Sequence, residues 1–347
     1  MLCIIALHMS TQSGISNYNT PVSKVFYLLC RNYGRIACNV FTMIGAYFLV
    51  DCRFDMRRIS KIWFTLITYT IPLTVLCIFL PVEITSEQIL SGFTPFINDI
   101  LWFGSTYMVL LFISPVLNLL LHKLDDKTLK TLIIIYAVLV MLYPTFTMSK
   151  GRTFNGGIYA FILDYMAVGY MKKRNLFIEK KKILRLCGIV IPLIVLILRY
   201  LCAEKGLKSY AFFQWLESYL AFSLSELKSL PNFLSALGIF SIAVNLHIGY
   251  SKIINMFGGA TFGVYVIHQV PVFYTYLWNG IFAGEDYKNS QYNLLYACFM
   301  IAAVFLVCSV IEMIRSTIFR NTLEKSKKYN QWMDWFNSVF RRIEEIG

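Results

Sequence analysis

Few side chains in this sequence could do chemistry, and most of them stand alone among apolar neighbours. His8 closes the apolar run Met1–Leu7. An imidazole changes charge near neutral pH, so His8 can serve as a general base or carry an acyl group. A histidine wetted by lipid headgroups fits the same position equally simply. His268 lies within GGATFGVYVIHQVPVF, with Pro271 close behind. Proline has no N–H, so the carbonyl of Ile267 loses its helical partner beside the imidazole. A buried histidine bonded to a neighbouring helix is the structural reading of that site.

The cations and carboxylates pose the same choice between chemistry and architecture. Arg35 precedes fifteen uncharged residues, Ile36 to Val50. Arg199 sits near the outer end of another apolar run, either snorkelling outward or binding an anionic acceptor. Asp164 interrupts YAFILDYMAVGY, which predicts a cation partner from a neighbouring span, because an unpaired charge there is expensive. Glu312 and Arg315 are one turn apart and predict an internal ion pair. The sequence has no phosphate loop, dinucleotide fingerprint, nucleophile elbow or HExxH pair. Gly258, Gly259 and Gly263 read as close helix packing, since no strand precedes them.

The elements that must position these groups are membrane helices. Of 347 residues, 57% are hydrophobic and 15% charged, against about 25% charged in a soluble domain. Long uncharged runs recur without strand-like alternation, which favours helices over a barrel. The net charge of +13 falls between those runs, as inside loops and anionic lipid require, so nucleic acid is not an expected partner. Nine cysteines without a CxxC pair point to neither a disulfide framework nor a metal site. The expected fold is an all-α polytopic transmembrane helical bundle of about ten spans with both ends cytoplasmic.

The run 36–50 is the opening reference. At about 1.5 Å per residue it reaches only ~22 Å of a ~30 Å core. Arg35 therefore snorkels at the outer face or occupies a polar pocket, while Arg53, Arg57, Arg58 and Lys61 hold the other end inside. Met1–Leu7 is too short to cross and reads as the clipped end of a first span; Val22–Leu29 reads as a surface-lying helix. Further spans are expected at Ile62–Leu80, Ile100–Leu121, Leu132–Met148, Asn155–Met171, Ile183–Leu201, Pro231–Tyr250, Ile254–Ala283 and Asn293–Ile311. Glu83, Glu87 and Asp99 mark one outer loop, and Cys202–Leu230 a mixed external segment. Residues 1–319 form the membrane domain. The tail, 320–347, repeats Tyr329, Trp332, Met333, Phe336, Val339, Phe340 and Ile343 at helical spacing, an amphipathic helix for the cytoplasmic interface or for a partner.

Taken in order, several stretches resemble the acyltransferase-3 family of integral-membrane acyltransferases, best known for O-acetylating bacterial surface polysaccharides. ALHMS at 6–10 resembles the end of the family's first helix, and GRIACNVFTMIGAYFL at 34–49 its second. ILWFGSTYMVLLFISPVLNLL at 100–120 is similar to a Leu-Trp-Phe … Pro-x-Leu-Asn helix. TFGVYVIHQVPVF at 261–273 is similar to a Phe-Gly-x-Tyr-x-x-His helix, and NGGIYAFILDYMAVGYMKK at 155–173 is a weaker likeness. The resemblance implies that His8 is essential for transfer and that Arg35, Trp102 and His268 belong to the site. The family's arginine eleven residues before this histidine would fall before Met1, and Gly45-Ala46 replaces Ser-Gly.

The resemblance also implies an acyl-CoA donor, usually acetyl-CoA, no bound cofactor, and a polysaccharide or lipid-linked sugar acceptor at the bacterial cytoplasmic membrane. His8 would deprotonate the acceptor hydroxyl or carry the acyl group. Arg35 would stabilise the oxyanion. Arg57, Arg58 and Lys61 would meet the CoA phosphates, besides setting topology. Trp102 would stack on sugar or adenine. The rival expectation is a non-enzymatic polysaccharide export or polymerisation protein, which needs a continuous polar path that these few ionisable residues do not obviously supply.

Overall fold

The computed structural model describes residues 1–80, 85–96, 101–148, 157–202 and 209–345, with side chains to Phe340. Glu83, Asp99, Asn155 and the Ile343 side chain lie outside the described residues. Among those described there is no strand. In chain order the helices are α1 (Leu2–Gln12), α2 (Pro21–Leu49), α3 (Met56–Ile78), α4 (Ser86–Phe93), α5 (Trp102–Lys123), α6 (Asp126–Ala137), α7 (Ile158–Lys173), α8 (Lys181–Cys202), α9 (Ala211–Ser225), α10 (Leu230–Val244), α11 (Lys252–Gln269), α12 (Pro271–Thr275), α13 (Asn293–Asn321) and α14 (Lys327–Glu345). They form two compact units. The first holds Met1–Asn17, Arg53–Pro115 and Gly249–Gly347; the second holds Tyr18–Cys52 and Val116–Ile248.

Five helical stretches are long and apolar enough to cross a membrane: Met56–Ile78, Trp102–Lys123, Asp126–Thr147, Lys181–Cys202 and Asn293–Lys325. Two bent pairs raise this to seven: α9 with α10, bent by 43°, and α11 with the stretch Pro271–Ile281, bent by 74°. The chain is thus a multi-pass helical membrane protein, with five to seven candidate spans by length and composition among the described residues, where about ten were expected. α1, at 11 residues, and α7, at 16, fall short in length. α2 is long enough, but Lys24, Arg31, Asn32, Arg35 and Asn39 dilute its apolar character.

α2 also corrects the opening reference. Val22–Leu29 is not a separate surface helix but the first turns of one 29-residue helix, about 43 Å long. Thr20 and Ser23 form a reciprocal capping box and Pro21 occupies the first turn, so the helix starts there and nothing interrupts it before Leu49. Arg35 consequently lies mid-helix, not at the mouth of a short span. The segment Cys202–Leu230 likewise contains α9.

In the first unit, α11 and α13 pack so closely that a Cβ on Gly263 would collide with the Glu312 carboxylate. Glu312 accepts from Arg315 at 2.6 and 2.7 Å and from the Tyr69 hydroxyl at 2.8 Å, bearing out the expected ion pair and adding a third member from α3. In the second unit, α8 and α10 touch backbone to backbone at Gly188 and Gly238, the small-residue contact that membrane helices use. Asp164 corrects an expectation: it is fully buried, and neither carboxylate oxygen meets a hydrogen-bond partner among the described residues.

The tail does form a helix, but its apolar face is turned against its own unit. Tyr329, Met333 and Phe336 pack on Met56, Phe64, Phe319 and Leu323. Trp332, Trp335 and Val339 remain exposed and available to a lipid interface.

Candidate active site

The site in the first unit is built where α11 stops. Pro271 cannot donate to the helical ladder and forces the preceding residue out of the helical region, so Val270 is extended (φ −58°, ψ 121°) and the chain turns. His268 therefore occupies the last turn of α11, fully buried. Its Nδ1 lies 2.5 Å from the carbonyl oxygen of Val264, one turn back. Its Nε2 lies 2.9 Å from Nδ1 of His8, on α1, with ring centroids 5.1 Å apart and planes tilted by 44°.

These contacts assign the protons. A carbonyl oxygen only accepts, so His268 carries hydrogen on Nδ1 and donates it to Val264. A neutral His268 is then an acceptor at Nε2, and His8 must be the donor through its own Nδ1–H. The unprotonated nitrogen of a neutral His8 is accordingly Nε2. Reversing the shared hydrogen bond would need two protons on His268 and would bury a charged ring. His268 thus fixes the tautomer and the ring plane of His8.

A second contact repeats the first one turn along α1. Gln12 and Gln269 exchange side-chain hydrogen bonds at 3.1 and 3.3 Å, so both residues at the end of α11 grip α1. Sequence reasoning missed this pair; the available signal was that Gln12 follows His8 by one turn and Gln269 adjoins His268. Aromatic rings continue the wall. Tyr265 lies edge-on to His268 at 6.4 Å, Phe103 meets Tyr265 at 5.5 Å, and Trp102 meets Phe103 at 5.7 Å. Trp102 is thereby connected to the histidines through two other rings.

Two of the expected phosphate-binding cations of this unit, Arg57 and Lys61, are engaged by the tail. Arg57 bonds Asp334 at 2.7 Å and Asn330 at 3.2 Å, and Lys61 pairs with Glu324 at 2.8 Å. Arg58 donates to the Arg53 carbonyl at 3.1 Å. Asn337 clasps the start of α3, donating to the Asp55 carboxylate at 3.2 Å and accepting from the Met56 N–H at 2.7 Å. Burial works to raise the Asp55 pKa, but the Arg57 N–H, the Asn337 amide and the Arg57 charge outweigh it and hold the carboxyl below its ordinary value.

Arg35 and Arg199 belong to the second unit. Arg35 is half-buried on the α2 face that also carries Asn32 and Asn39, residues that sequence reasoning overlooked despite their three-and-four spacing. Arg199 does not snorkel outward. It is buried, bonded to Asn32 at 2.6 Å and to Glu217 of α9 at 3.4 Å. Asn39 bonds Asn232 of α10 at 3.2 Å and the Leu227 carbonyl at 3.1 Å.

Among the described residues one histidine pair joins α1 to the proline-broken end of α11. The chain belongs to the acyltransferase-3 family, whose acyltransferase domain matches residues 1–313. No curated protein and no solved structure matches the chain. It is a membrane acyltransferase.

Proposed function

We propose that this acyltransferase moves an acetyl group from acetyl-CoA to a hydroxyl of a cell-envelope polysaccharide, or of its lipid-linked precursor, at the bacterial cytoplasmic membrane. The observation that carries the reading is the His8–His268 hydrogen bond, which leaves His8 Nε2 as the basic nitrogen. His8 takes the hydroxyl proton as the alcohol oxygen attacks the thioester carbonyl. The tetrahedral intermediate collapses, the carbon–sulfur bond breaks, and the departing CoA thiolate recovers the proton from His8. The products are the ester and free CoA, with the imidazole restored. General-base assistance of this kind is worth about 10²–10⁴ in rate.

Trp102, half-buried beside the buried rings of Phe103 and Tyr265, suits the flat apolar face of a sugar ring or of adenine. A CoA phosphate at Arg57 or Lys61 would have to compete with Asp334 and Glu324. Arg35 is in the second unit, and its oxyanion role, implied by family likeness, rests on its own substitution. The test is NMR of the surface glycan from a deletion strain carrying either the wild-type gene or His8→Ala. Ester acetyls restored only by the wild type, at equal protein level, support the assignment. Full acetylation by His8→Ala refutes the base role, and loss of polymer rather than of acetyl groups in the deletion strain indicates export or polymerisation instead.

A further inference from the structure

The second unit contains a cleft of about 640 Å³, none of whose lining residues enters the transfer step proposed above. Its floor is aromatic: Tyr47 and Phe177 meet edge-on at 6.2 Å, and Phe240 backs both. Asn245 at the end of α10 closes one side by donating to the Phe177 carbonyl at 3.0 Å. The rim is basic, with Lys172 and Lys173 from the end of α7, Lys181 from the start of α8, and His247.

The charges on this rim are unbalanced. Lys172 is neutralised by Asp51 at 2.6 Å and lies over the Tyr47 ring at 4.3 Å. Lys173 donates to the Leu121 carbonyl at 2.7 Å, which orients the ammonium without cancelling its charge. Lys181 and His247 enter no hydrogen bond or ion pair among the described residues. Arg174 is already held by Asp126 at 2.7 Å and turns its charge elsewhere. A run of lysines that only set topology would be expected to extend separately into water. Here three of them border one concavity within the usual size range of ligand sites, about 300–1,000 Å³.

We propose that this cleft binds a phosphate-bearing group, with the phosphate held by Lys173, Lys181 and His247 and its apolar or planar part lying on Tyr47 and Phe177. Ammonium groups act as point charges toward phosphate and tolerate either a diester or a terminal phosphate. The group can therefore come from an anionic lipid headgroup or from a soluble phosphate compound. The proposal stands whether or not acetyl transfer is the reaction.

The test uses the full chain in nanodiscs of neutral phosphatidylcholine, titrated with inorganic pyrophosphate by calorimetry. A parallel preparation in phosphatidic-acid-containing discs is examined by native mass spectrometry for retained anionic lipid. Lys181→Glu with His247→Gln is compared with Lys130→Glu, a charge reversal on exposed α6 outside the cleft. Matched thermal melting confirms that each variant is folded. Pyrophosphate binding weakened about tenfold or more by the cleft variant alone identifies a soluble phosphate source. Retained lipid that only the cleft variant loses, without pyrophosphate binding, identifies a headgroup. If neither probe binds the wild type, or Lys130→Glu weakens binding as much as the cleft variant, the site is refuted.

Discussion

Replacing His268 separates an orienting role from a merely structural one. His268→Leu removes the acceptor for His8 Nδ1–H, now 2.9 Å away, together with the bond to Val264. One neutral hydrogen bond is worth ~1 kcal/mol net, about fivefold in the fraction of His8 held in the productive tautomer. Losing the ring's position adds up to about 100-fold if the base nitrogen shifts by ~1 Å. The expected fall in kcat for His268→Leu is therefore between about fivefold and 500-fold, reaching only the lower part of the about 10²–10⁴ that a general base contributes. His268→Gln places a carbonyl oxygen near the old Nε2 position and should recover most of that loss. The assay is CoA release by the reconstituted full chain, with kcat and KM separated and followed against pH. Both His268 variants should keep the acidic limb of the kcat profile, because the base is still His8, whereas His8→Ala should lose it. Equal kcat in Leu, Gln and wild-type proteins at matched folded fraction would refute the orienting role.

Two other perturbations address the scaffold. Gly263→Ala drives a methyl group into the Glu312 side chain and disturbs its bonds to Arg315 and Tyr69, so it should cost about 1–3 kcal/mol and lower the melting temperature of the purified protein. A Tm equal to that of the wild type would show that α11 and α13 can separate at no cost. Acid should release the tail, since a carboxyl with a depressed pKa stabilises the fold above its unfolded value and that stability is lost as pH falls through the folded value. The protection of α14 amides against hydrogen exchange, taken relative to the unfolded chain at the same pH, should therefore fall on acidification below the ordinary carboxylate range. Asp55→Asn should exchange fast at neutral pH already; a rate indifferent to both changes would contradict the clasp at Asp55, Met56 and Asn337.

The reach of the sequence differed from residue to residue, for physical reasons. His8 and His268 were legible because each is a titratable group in an apolar run, and the break at Pro271 follows from the missing N–H. Their pairing was not legible: 260 residues separate them, and no local pattern encodes a contact between the ends of two helices. α2 was misread because Arg35 was treated as a boundary, although the Thr20–Ser23 box and Pro21 already mark the true start. The same misreading hid Asn32 and Asn39, whose helical register with Arg35 shows only when the helix is taken whole. The cations of α3 were read by sign alone. Asp334 and Glu324, more than 260 residues later, decide where those charges go, and no local pattern near α3 points to them. The cleft beside Lys172, Lys173 and Lys181 was not legible, because a cleft is a property of packed helices and not of a run of residues.

The central claim, that His268 sets His8 up as a base through Nε2, is open to one direct reading. Nitrogen-15 NMR of the full chain labelled at histidine, with His8 assigned by substitution, should show at neutral pH a protonated Nδ1 and an unprotonated Nε2. A His8 with its proton on Nε2 and its lone pair on Nδ1 would contradict the account.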